Sequence, residues 1–322
     1  MKAILVPSPG GPEALVFGEA PDPVPAPGEV LVRVKATALN RADLLQAAGK
    51  YPPPPGAPEI LGLEAAGEVE GTSERVFFLL PGGGYAEKVT VPTGMLMPIP
   101  EKMSFVGAAS IPEAWLTAYL NLFLEGGLKG GEEGSHEIAL IHAAASGVGT
   151  AALQLLRRKG IRSIATTRSA FKLDSLRSLG ATLVIDTSAA DFGSRIETVF
   201  GRDAVELILD PVGGAFLERN LRVLRRGGRL VLIAVMGGGS APIDLRPLLR
   251  KRLRVIGSTL RSRPTVEKIA LTQAFVRDVL PGFADGTLFT VIDTVLPLAR
   301  AADAFRRMAA NENVGKIVLA VA

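Results

Sequence analysis

A short turn of small residues is the part of the sequence best suited to bind a phosphate group. It contains Ala144, Ser146, Gly147, Val148 and Gly149, and it lies between an apolar run and an amphipathic run. This order predicts a strand, a turn and a helix. The first turn of a helix offers unpaired N–H groups, which small side chains let a phosphate approach. Alanine and serine occupy the first two positions of the Gly-x-Gly-x-x-Gly pattern, so tight packing of helix on strand is the alternative interpretation.

A group of cationic and hydroxyl side chains follows this turn at a spacing of about 20 residues. It comprises Thr167, Arg168, Ser169 and Lys172, at the end of the next predicted strand. Sites for NAD usually place Asp or Glu there, on the ribose hydroxyls, whereas cations and hydroxyls attract a 2′-phosphate. The pattern therefore predicts NADPH as the cofactor. A basic helix start that is exposed to solvent is the alternative.

Residues that bind metals or act as nucleophiles are scarce in this 322-residue chain. It contains no cysteine and two histidines, His136 and His142. Zinc sites in proteins are built mainly from Cys and His ligands, so zinc catalysis is not expected. Disulfides and Cys nucleophiles are excluded. We expect a structural role for His142, which ends an apolar strand without an evident acidic partner.

The composition predicts a cytoplasmic protein with no membrane partner. Apolar residues make up 48% of the chain, and its formal net charge is +4. No apolar run approaches the length of about 18 residues that a membrane span needs, and residues 1–7 are too short an apolar stretch for a signal peptide. The basic cluster at residues 250–254 is expected to be the solvated end of an element. Anion or nucleic-acid binding is the alternative there, although few aromatic residues are interleaved for base stacking.

The elements that position these residues fall into two regions. Residues 1–111 contain many short strands with Gly and Pro between them, which is typical of a partly closed β-barrel. From residue 112 to 258, short apolar strands alternate with helices, which predicts a doubly wound parallel sheet that binds ligands outside the carboxyl ends of its strands. The last strand, at 315–321, is expected to return to the first region. The predicted domains are therefore 1–111 with 259–322, and 112–258.

Nine motifs occur in order along almost the whole chain. They are ALNRAD at 38–43, GKYPPPPG at 49–56, ILGLE at 60–64, LPGGG at 80–84, IPEAWLT at 111–117, SGVG at 146–149, MGGG at 236–239, LRSR at 260–263 and NVGKIV at 313–318. On these motifs the chain resembles the zinc-free quinone oxidoreductase branch of the medium-chain dehydrogenase/reductase superfamily, which includes zeta-crystallin. Within that branch it is most similar to the group related to the tumour-suppressor-induced quinone oxidoreductase.

The resemblance implies a GroES-like catalytic domain, a Rossmann nucleotide-binding domain and NADPH-dependent reduction of a quinone. It also implies a homodimer that is joined through the sheet edge near residues 253–257. Where zinc-dependent relatives carry metal ligands, this chain has Asn40 and Leu63. Further cofactor contacts implied by the resemblance are Thr117, Asp210, Gly213, Gly237, Gly238, Asn313 and Lys316.

Tyr51 and Asn40 are the predicted catalytic residues. A phenol or an amide at hydrogen-bond distance orients a quinone carbonyl and stabilises the negative charge that develops on it. Packing against its own proline loop is the alternative for Tyr51. For Asn40 the alternative is the N-cap of the short helix that follows. Glu64 is expected to be a buried carboxylate that is paired locally.

Two other functions remain open from the sequence. Reduction of the activated C=C bond of an enone or enoyl thioester has nearly the same requirements as quinone reduction. A non-catalytic NADPH-binding sensor or RNA-binding protein is the second alternative, and its only support is the basic cluster at 250–254. Binding of RNA through phosphate contacts would weaken steeply with salt.

Overall fold

The computed structural model describes residues 1–131 and 136–322 and divides them into two compact units. Unit 1 comprises Met1–Leu116 and Leu260–Ala322, and unit 2 comprises Thr117–Thr259. The sequence placed this boundary just before the helix Pro112–Tyr119, whereas the division falls inside that helix. Within the described residues, no helix is both long and apolar enough to cross a membrane.

Strands and helices are numbered in chain order. The strands are β1 (Lys2–Leu5), β2 (Val16–Glu19), β3 (Glu29–Ala38), β4 (Glu64–Val69), β5 (Arg75–Leu79), β6 (Lys88–Pro92), β7 (Met97–Pro98), β8 (Ile138–Ile141), β9 (Arg162–Thr167), β10 (Leu183–Asp186), β11 (Val205–Asp210), β12 (Leu224–Leu232), β13 (Arg254–Gly257), β14 (Ile292–Pro297) and β15 (Lys316–Ala320). The α-helices are α1 (Arg41–Ala47), α2 (Phe105–Ala109), α3 (Pro112–Tyr119), α4 (Gly147–Arg158), α5 (Leu173–Ser178), α6 (Phe192–Phe200), α7 (Leu217–Val223), α8 (Arg246–Lys251), α9 (Thr265–Asp278), α10 (Pro281–Ala284) and α11 (Ala301–Ala309).

The main sheet of unit 1 is organised around the long strand β3. Its strand order is β14-β15-β3-β4-β5-β7, and β6 also pairs with β3. The first half of β3 pairs with β6, its last residues pair with β15, and most of the strand also pairs with β4. One strand therefore joins three neighbours. Strand β15 lies beside β3, so both ends of the chain build unit 1, as the sequence predicted for the last strand.

Unit 2 contains a six-stranded parallel sheet of order β10-β9-β8-β11-β12-β13. Numbered within the unit, this order is 3-2-1-4-5-6, which is that of dinucleotide-binding folds. The buried core consists of Ile138, Leu140, Ile164, Ile185, Phe192, Ile196, Val205, Ile208, Leu221, Val223, Leu224 and Leu230. The strand order reverses between β8 and β11, and the loops after these two strands lie at the carboxyl edge of the sheet. The predicted fold class is confirmed.

The basic cluster at 250–254 is the end of helix α8. Lys251 Nζ donates to the carbonyls of Arg222 (2.8 Å) and Leu224 (3.0 Å), and it pairs with Asp203. Arg252 follows the helix in the left-handed conformation, with φ of 51°. Cations at a helix C-terminus are favoured by the helix dipole, so the cluster has a local structural explanation.

Candidate functional site

The turn after β8 caps the N-terminus of helix α4. Ser146 Oγ accepts a hydrogen bond from the Gly149 N–H (3.1 Å). A Cβ at Gly149 would lie 2.4 Å from the carbonyl oxygen of Ala144, so only glycine fits there. The Ala144 N–H donates to the Thr166 carbonyl (2.9 Å), which fixes the turn against β9. Gly149 therefore allows the tight packing of helix on strand that the sequence offered as an alternative. The turn also presents the first N–H groups of α4 where the strand order of the sheet reverses.

The four residues predicted to bind the 2′-phosphate follow the end of β9. Thr167 is buried, and its Oγ1 accepts from the Ser169 N–H (3.3 Å). Arg168 is exposed, whereas Lys172 is only 2% exposed, with Nζ 5.4 Å from the centroid of the Phe171 ring. The alternative of a solvent-exposed basic helix start therefore does not describe Lys172.

The loops after β11 and β12 are joined to each other by backbone hydrogen bonds. Gly237 N–H donates to the Val212 carbonyl (2.7 Å), and Gly214 N–H donates to the Gly238 carbonyl (2.9 Å). Gly213 has φ of +80°, a conformation that favours glycine. The predicted glycines 213, 237 and 238 thus come together at the carboxyl edge of the sheet.

Asp210 holds the first of these loops from inside. Its Oδ1 accepts from the N–H groups of Val212 (2.6 Å) and Gly213 (3.1 Å), and its Oδ2 accepts from Asn220 Nδ2 (2.8 Å). Burial raises the pKa of Asp210 to about 6. Both carboxylate oxygens accept hydrogen bonds within the protein and hold this loop in place, and the cofactor contact of Asp210 stays a prediction.

A buried chain of hydrogen bonds connects Asp210 to the end of β8. Asn220 donates to Asp210, so its Oδ1 accepts from His142 Nε2 (2.8 Å), and His142 Nδ1 contacts Thr166 Oγ1 (2.9 Å). Burial lowers the pKa of His142 to about 4, which keeps the imidazole neutral. His142 is structural, as expected, and it reaches an acidic residue through Asn220.

In unit 1, Asn40, Glu64 and Lys316 form a buried polar cluster. Lys316 Nζ donates to Glu64 Oε1 (2.6 Å), to Asn40 Oδ1 (2.7 Å) and to the Leu39 carbonyl (2.6 Å). Asn40 Nδ2 also donates to Glu64 Oε1 (2.8 Å). Glu64 is fully buried and paired locally, as expected. The amide of Asn40 and the ammonium of Lys316 hydrogen-bond within the cluster, and the substrate contact of Asn40 and the cofactor contact of Lys316 stay predictions.

Asp43 supplies the cap at the start of helix α1. Its Oδ2 accepts from the Asn40 backbone N–H (2.7 Å) and from the Tyr85 hydroxyl (3.0 Å). Asn40 therefore occupies the N-cap position, as the alternative interpretation held, while its side chain belongs to the cluster with Glu64. Burial raises the pKa of Asp43 to about 6.

Tyr51 lies against the guanidinium of Arg261, whose Cζ is 5.3 Å from the ring centroid. Arg261 is 5% exposed, and its Nη2 donates to the Pro81 carbonyl (2.7 Å) and to Gln46 Oε1 (2.7 Å). Its Nη1 is buried and has no hydrogen-bond partner in the part of the chain that the structure describes. Burial raises the pKa of Tyr51, so the phenol keeps its proton.

Glu113 is a site residue that sequence reasoning missed. It begins helix α3, and its backbone N–H donates to Glu64 Oε2 (2.8 Å). Burial, and next the negative charge of Glu64, raise the pKa of Glu113 to about 8. An acidic residue after a proline at a helix start is common, so no signal in the sequence separated Glu113 from an ordinary first-turn acid.

Two remaining predicted cofactor contacts are nearly buried. Thr117 is 8% exposed, and its carbonyl accepts from Asn121 Nδ2 (2.8 Å). Asn313 is 9% exposed, and its Nδ2 donates to the Gly315 carbonyl (2.9 Å). Asn313 and Lys316 belong to unit 1, whereas Thr117 belongs to unit 2 with the phosphate turn.

Two family models match separate parts of the chain. The alcohol dehydrogenase GroES-like domain matches residues 26–101, and the zinc-binding dehydrogenase family matches residues 147–275. The second description mentions zinc, but the chain has no cysteine. Across residues 1–131 and 136–322, no group of three or more His, Cys, Asp or Glu residues is arranged to hold a metal ion.

Relatives match the chain over nearly its whole length. The rat synaptic vesicle membrane protein VAT-1 homolog is 32% identical over 92% of this chain and 78% of its own. A segment of the pikromycin polyketide synthase component PikAII of Streptomyces venezuelae, 8% of that protein, is 33% identical over 98% of this chain. The quinone oxidoreductase of Thermus thermophilus, also solved in complex with NADPH, is 36% identical over 99% of this chain and 100% of its own, with a TM-score of 0.85. This protein is therefore an oxidoreductase that belongs to the medium-chain dehydrogenase/reductase superfamily, in its quinone oxidoreductase branch.

Proposed function

We propose that this protein is an NADPH-dependent quinone oxidoreductase that works without zinc. The observation that carries the proposal is the buried, unpartnered Nη1 of Arg261 beside the phenol of Tyr51 within the described chain. A buried guanidinium N–H without an acceptor costs free energy, which a ligand oxygen recovers on binding. A quinone presents carbonyl oxygens of this kind. The similarity to a quinone oxidoreductase solved with NADPH supports the same function.

The residues of unit 2 fit a nicotinamide dinucleotide. The Ser146–Gly149 turn offers helix N–H groups to the pyrophosphate, and the cradle at Gly149 is too narrow for any Cβ. Thr167, Arg168, Ser169 and Lys172 would hold the 2′-phosphate, because the group contains two cations and no acid. Thr117 and the glycines at 213, 237 and 238 are proposed to lie along the rest of the cofactor. The reduced nicotinamide supplies a hydride when it is bound.

Tyr51 and Arg261 are proposed to bind the acceptor. The Tyr51 hydroxyl and Arg261 Nη1 donate to a quinone oxygen and stabilise the negative charge that hydride addition creates on it. Asn40 acts indirectly, because its amide contacts both Glu64 and Lys316 and holds them together. Asn313 and Lys316 keep a structural role in unit 1.

We also propose a homodimer that forms through strand β13, with no membrane or nucleic-acid partner. Among the described strands, β13 pairs with β12 only, so one of its edges is free. Val255 on this strand and Leu249 on the preceding helix are exposed, at 44% and 77%. Unpaired strand edges with apolar neighbours favour pairing with a second chain. A Val255→Lys variant that stays dimeric in sedimentation would refute this interface.

The experiment that tests the function measures oxidation of NADPH and NADH with a benzoquinone, phenanthrenequinone and a simple enone. We expect turnover with quinones and a preference for NADPH. Tyr51→Phe and Arg261→Gln should each lower kcat/KM for the quinone by about tenfold to a hundredfold, because each loses a hydrogen bond to developing charge. Arg263→Gln is the matched control, since Arg263 pairs with Glu267 near the surface, and it should change the rate by at most about twofold.

Reduction of a C=C bond is the second candidate function, and the match to a polyketide synthase segment favours it. The same donors would bind an enone carbonyl. Turnover of the enone without turnover of quinones would establish this candidate and refute quinone reduction. NADPH binding without oxidation by any acceptor would refute both and support the non-catalytic sensor.

A further inference from the structure

Gln46 contacts both ends of the proline-rich loop that contains Tyr51. At the start of the loop, the Gly49 N–H donates to the backbone carbonyl of Gln46 (2.9 Å). At its end, Gln46 Nε2 donates to the Glu59 carbonyl (3.0 Å). Tyr51 lies between these two contacts, so a single residue of helix α1 closes the loop.

The same amide also contacts Arg261. Gln46 Oε1 accepts a hydrogen bond from Arg261 Nη2 (2.7 Å). The Glu59 carbonyl can only accept and a guanidinium can only donate, so these two partners determine which way the amide of Gln46 points. The side chain therefore joins the end of the Tyr51 loop to a residue that lies 215 positions further along the chain.

Two further elements hold Arg261. Its Nε and Nη2 donate to the Pro81 carbonyl (2.9 and 2.7 Å), and Lys268 Nζ of helix α9 donates to the Arg261 carbonyl (2.6 Å). Among the described residues, Gln46 supplies the one side-chain acceptor of the guanidinium, while Nη1 stays buried without a partner. A substitution at Gln46 can therefore release part of this anchorage and leave the backbone acceptor in place.

The acceptors that hold the guanidinium are neutral. They are a backbone carbonyl and an amide, and no ion pair joins Arg261 to a carboxylate within residues 1–131 and 136–322. A paired carboxylate would offset the positive charge and weaken its attraction for a ligand oxygen. Neutral anchorage keeps that charge for the ligand.

We propose that Gln46 is a positioning residue of the acceptor site, whose amide fixes Arg261 against the Tyr51 loop without neutralising the guanidinium. This proposal rests on the proposed function, in which Tyr51 and Arg261 donate to the acceptor oxygen. Arg261 Cζ lies 5.3 Å from the centroid of the Tyr51 ring. A guanidinium that shifts would therefore change the spacing of the two donors, and Gln46 acts on the substrate through them.

The first test removes the acceptor with Gln46→Leu. Leucine is a good helix former, so α1 should persist. We expect the KM for a benzoquinone to rise by about tenfold, because Arg261 loses a charge-assisted hydrogen bond. The Kd for NADPH, measured by fluorescence titration, should stay unchanged, because the phosphate turn lies in unit 2. Gln273→Leu is the matched control, since Gln273 is an exposed residue of α9 in unit 1.

The second test keeps the acceptor and adds a charge with Gln46→Glu. The carboxylate still accepts from Arg261, so the KM for the quinone should stay close to that of the wild type. We expect kcat to fall by about tenfold, because the neutralised guanidinium stabilises the developing negative charge less. A residue with a merely structural role would not give a KM effect in one variant and a kcat effect in the other. Gln273→Glu is the matched control.

The third test follows Arg261 without turnover. Phenylglyoxal modifies accessible arginines, and mass spectrometry of the peptide that contains Arg261 gives the rate at this site. Arg261 is 5% exposed and should react slowly in the wild type. Gln46→Leu should speed the modification by about tenfold, whereas Gln46→Glu should react as slowly as the wild type. Equal rates in the wild type and Gln46→Leu would overturn the proposal.

The outcomes separate the positioning role from the proposed function. A wild type that reduces quinones while both Gln46 variants match its KM and kcat refutes positioning and leaves the proposed function intact. A wild type that reduces no acceptor refutes the proposed function and the role of Gln46 together. If Gln46→Leu fails to fold, Gln46→Glu decides the question: a lower kcat at unchanged KM supports positioning, and an unchanged kcat refutes it.

Discussion

Replacing Glu113 by Gln should change how the stability of unit 1 depends on pH. Gln has nearly the same shape as a protonated Glu, and it cannot ionise. Burial and Glu64 raise the pKa of Glu113 from its ordinary value of 4.5 to about 8. One unit of pKa is worth about 1.4 kcal/mol. The full difference therefore corresponds to about 5 kcal/mol, an upper limit because the side chain keeps some contact with solvent.

The sign of the effect follows from proton binding. The folded protein binds the Glu113 proton at pH values where the unfolded chain has lost it. The stabilisation that this proton gives is complete below the unfolded pKa of 4.5 and is lost as the pH rises through about 8. Between about pH 6 and about pH 8 the wild type should lose about 2 kcal/mol relative to Glu113→Gln. The raised pKa of Asp43 affects both proteins and largely cancels in this difference.

The assay is urea unfolding followed by tryptophan fluorescence. The chain has one tryptophan. It is Trp115 in unit 1, 3% exposed and packed edge-to-face against Phe283, so its emission reports the unfolding of that unit. Glu101→Gln, exposed to solvent, should follow the wild type at every pH. A constant difference between wild type and Glu113→Gln from about pH 6 to about pH 8 would refute the argument that the folded protein holds this proton.

Three further predictions concern unit 2. Arg168→Ala should raise the KM for NADPH by about tenfold and leave the KM for NADH unchanged, because only the 2′-phosphate loses a charge-assisted contact. Steady-state kinetics measures both constants, and Arg226→Ala, at an exposed position, is the control. Gly149→Ala should destabilise unit 2 by about 1–3 kcal/mol, since its Cβ would meet the Ala144 carbonyl at 2.4 Å; thermal unfolding by circular dichroism would contradict this if the midpoint did not move. Burial lowers the pKa of His142 from 6.5 to about 4, so the stability that His142 contributes is complete above pH 6.5 and is lost as the pH falls towards 4. Over that range, the free energy of unfolding of His142→Gln, measured in urea, should fall by about 3 kcal/mol less than that of the wild type.

Much of the parallel sheet was predictable because its strands are short apolar runs. The apolar run at 205–210 predicts a strand with the bounds of β11, and in unit 1 the run at 75–79 predicts the bounds of β5. The apolar run at 229–235 predicts a strand, but β12 spans Leu224–Leu232. Its pairing with β11 is interrupted between Val205 and Leu207 and resumes after the two glycines at 227 and 228. The short helices α2 and α8 were not predicted. A helix of five or six residues leaves too brief a periodic pattern to recognise.

The phosphate turn could be predicted from the sequence, whereas the polar cluster of unit 1 could not. The turn is a local feature, in which Ser146 and Gly149 contact each other three residues apart. The cluster joins Glu64 to Glu113 across 49 positions and to Lys316 across 252. Hydrogen bonds over such distances depend on how β4, α3 and β15 assemble, and one sequence does not contain that information. The sequence identifies Tyr51 by its proline-rich loop. It does not show that Arg261, in a distant segment of the chain, lies over the Tyr51 ring.

The neutral amide at position 40 links the lack of metal ligands to the raised pKa of Glu113. The resemblance places Asn40 where zinc-dependent relatives carry a metal ligand. An amide both donates and accepts, so Asn40 contacts the Glu64 carboxylate and the Lys316 ammonium at once, without adding charge. A cysteine thiolate there would have no N–H for Glu64 and would put a second negative charge beside it. Asn40 thus holds Glu64 in place beside the start of α3, and burial together with the negative charge of Glu64 raises the pKa of Glu113.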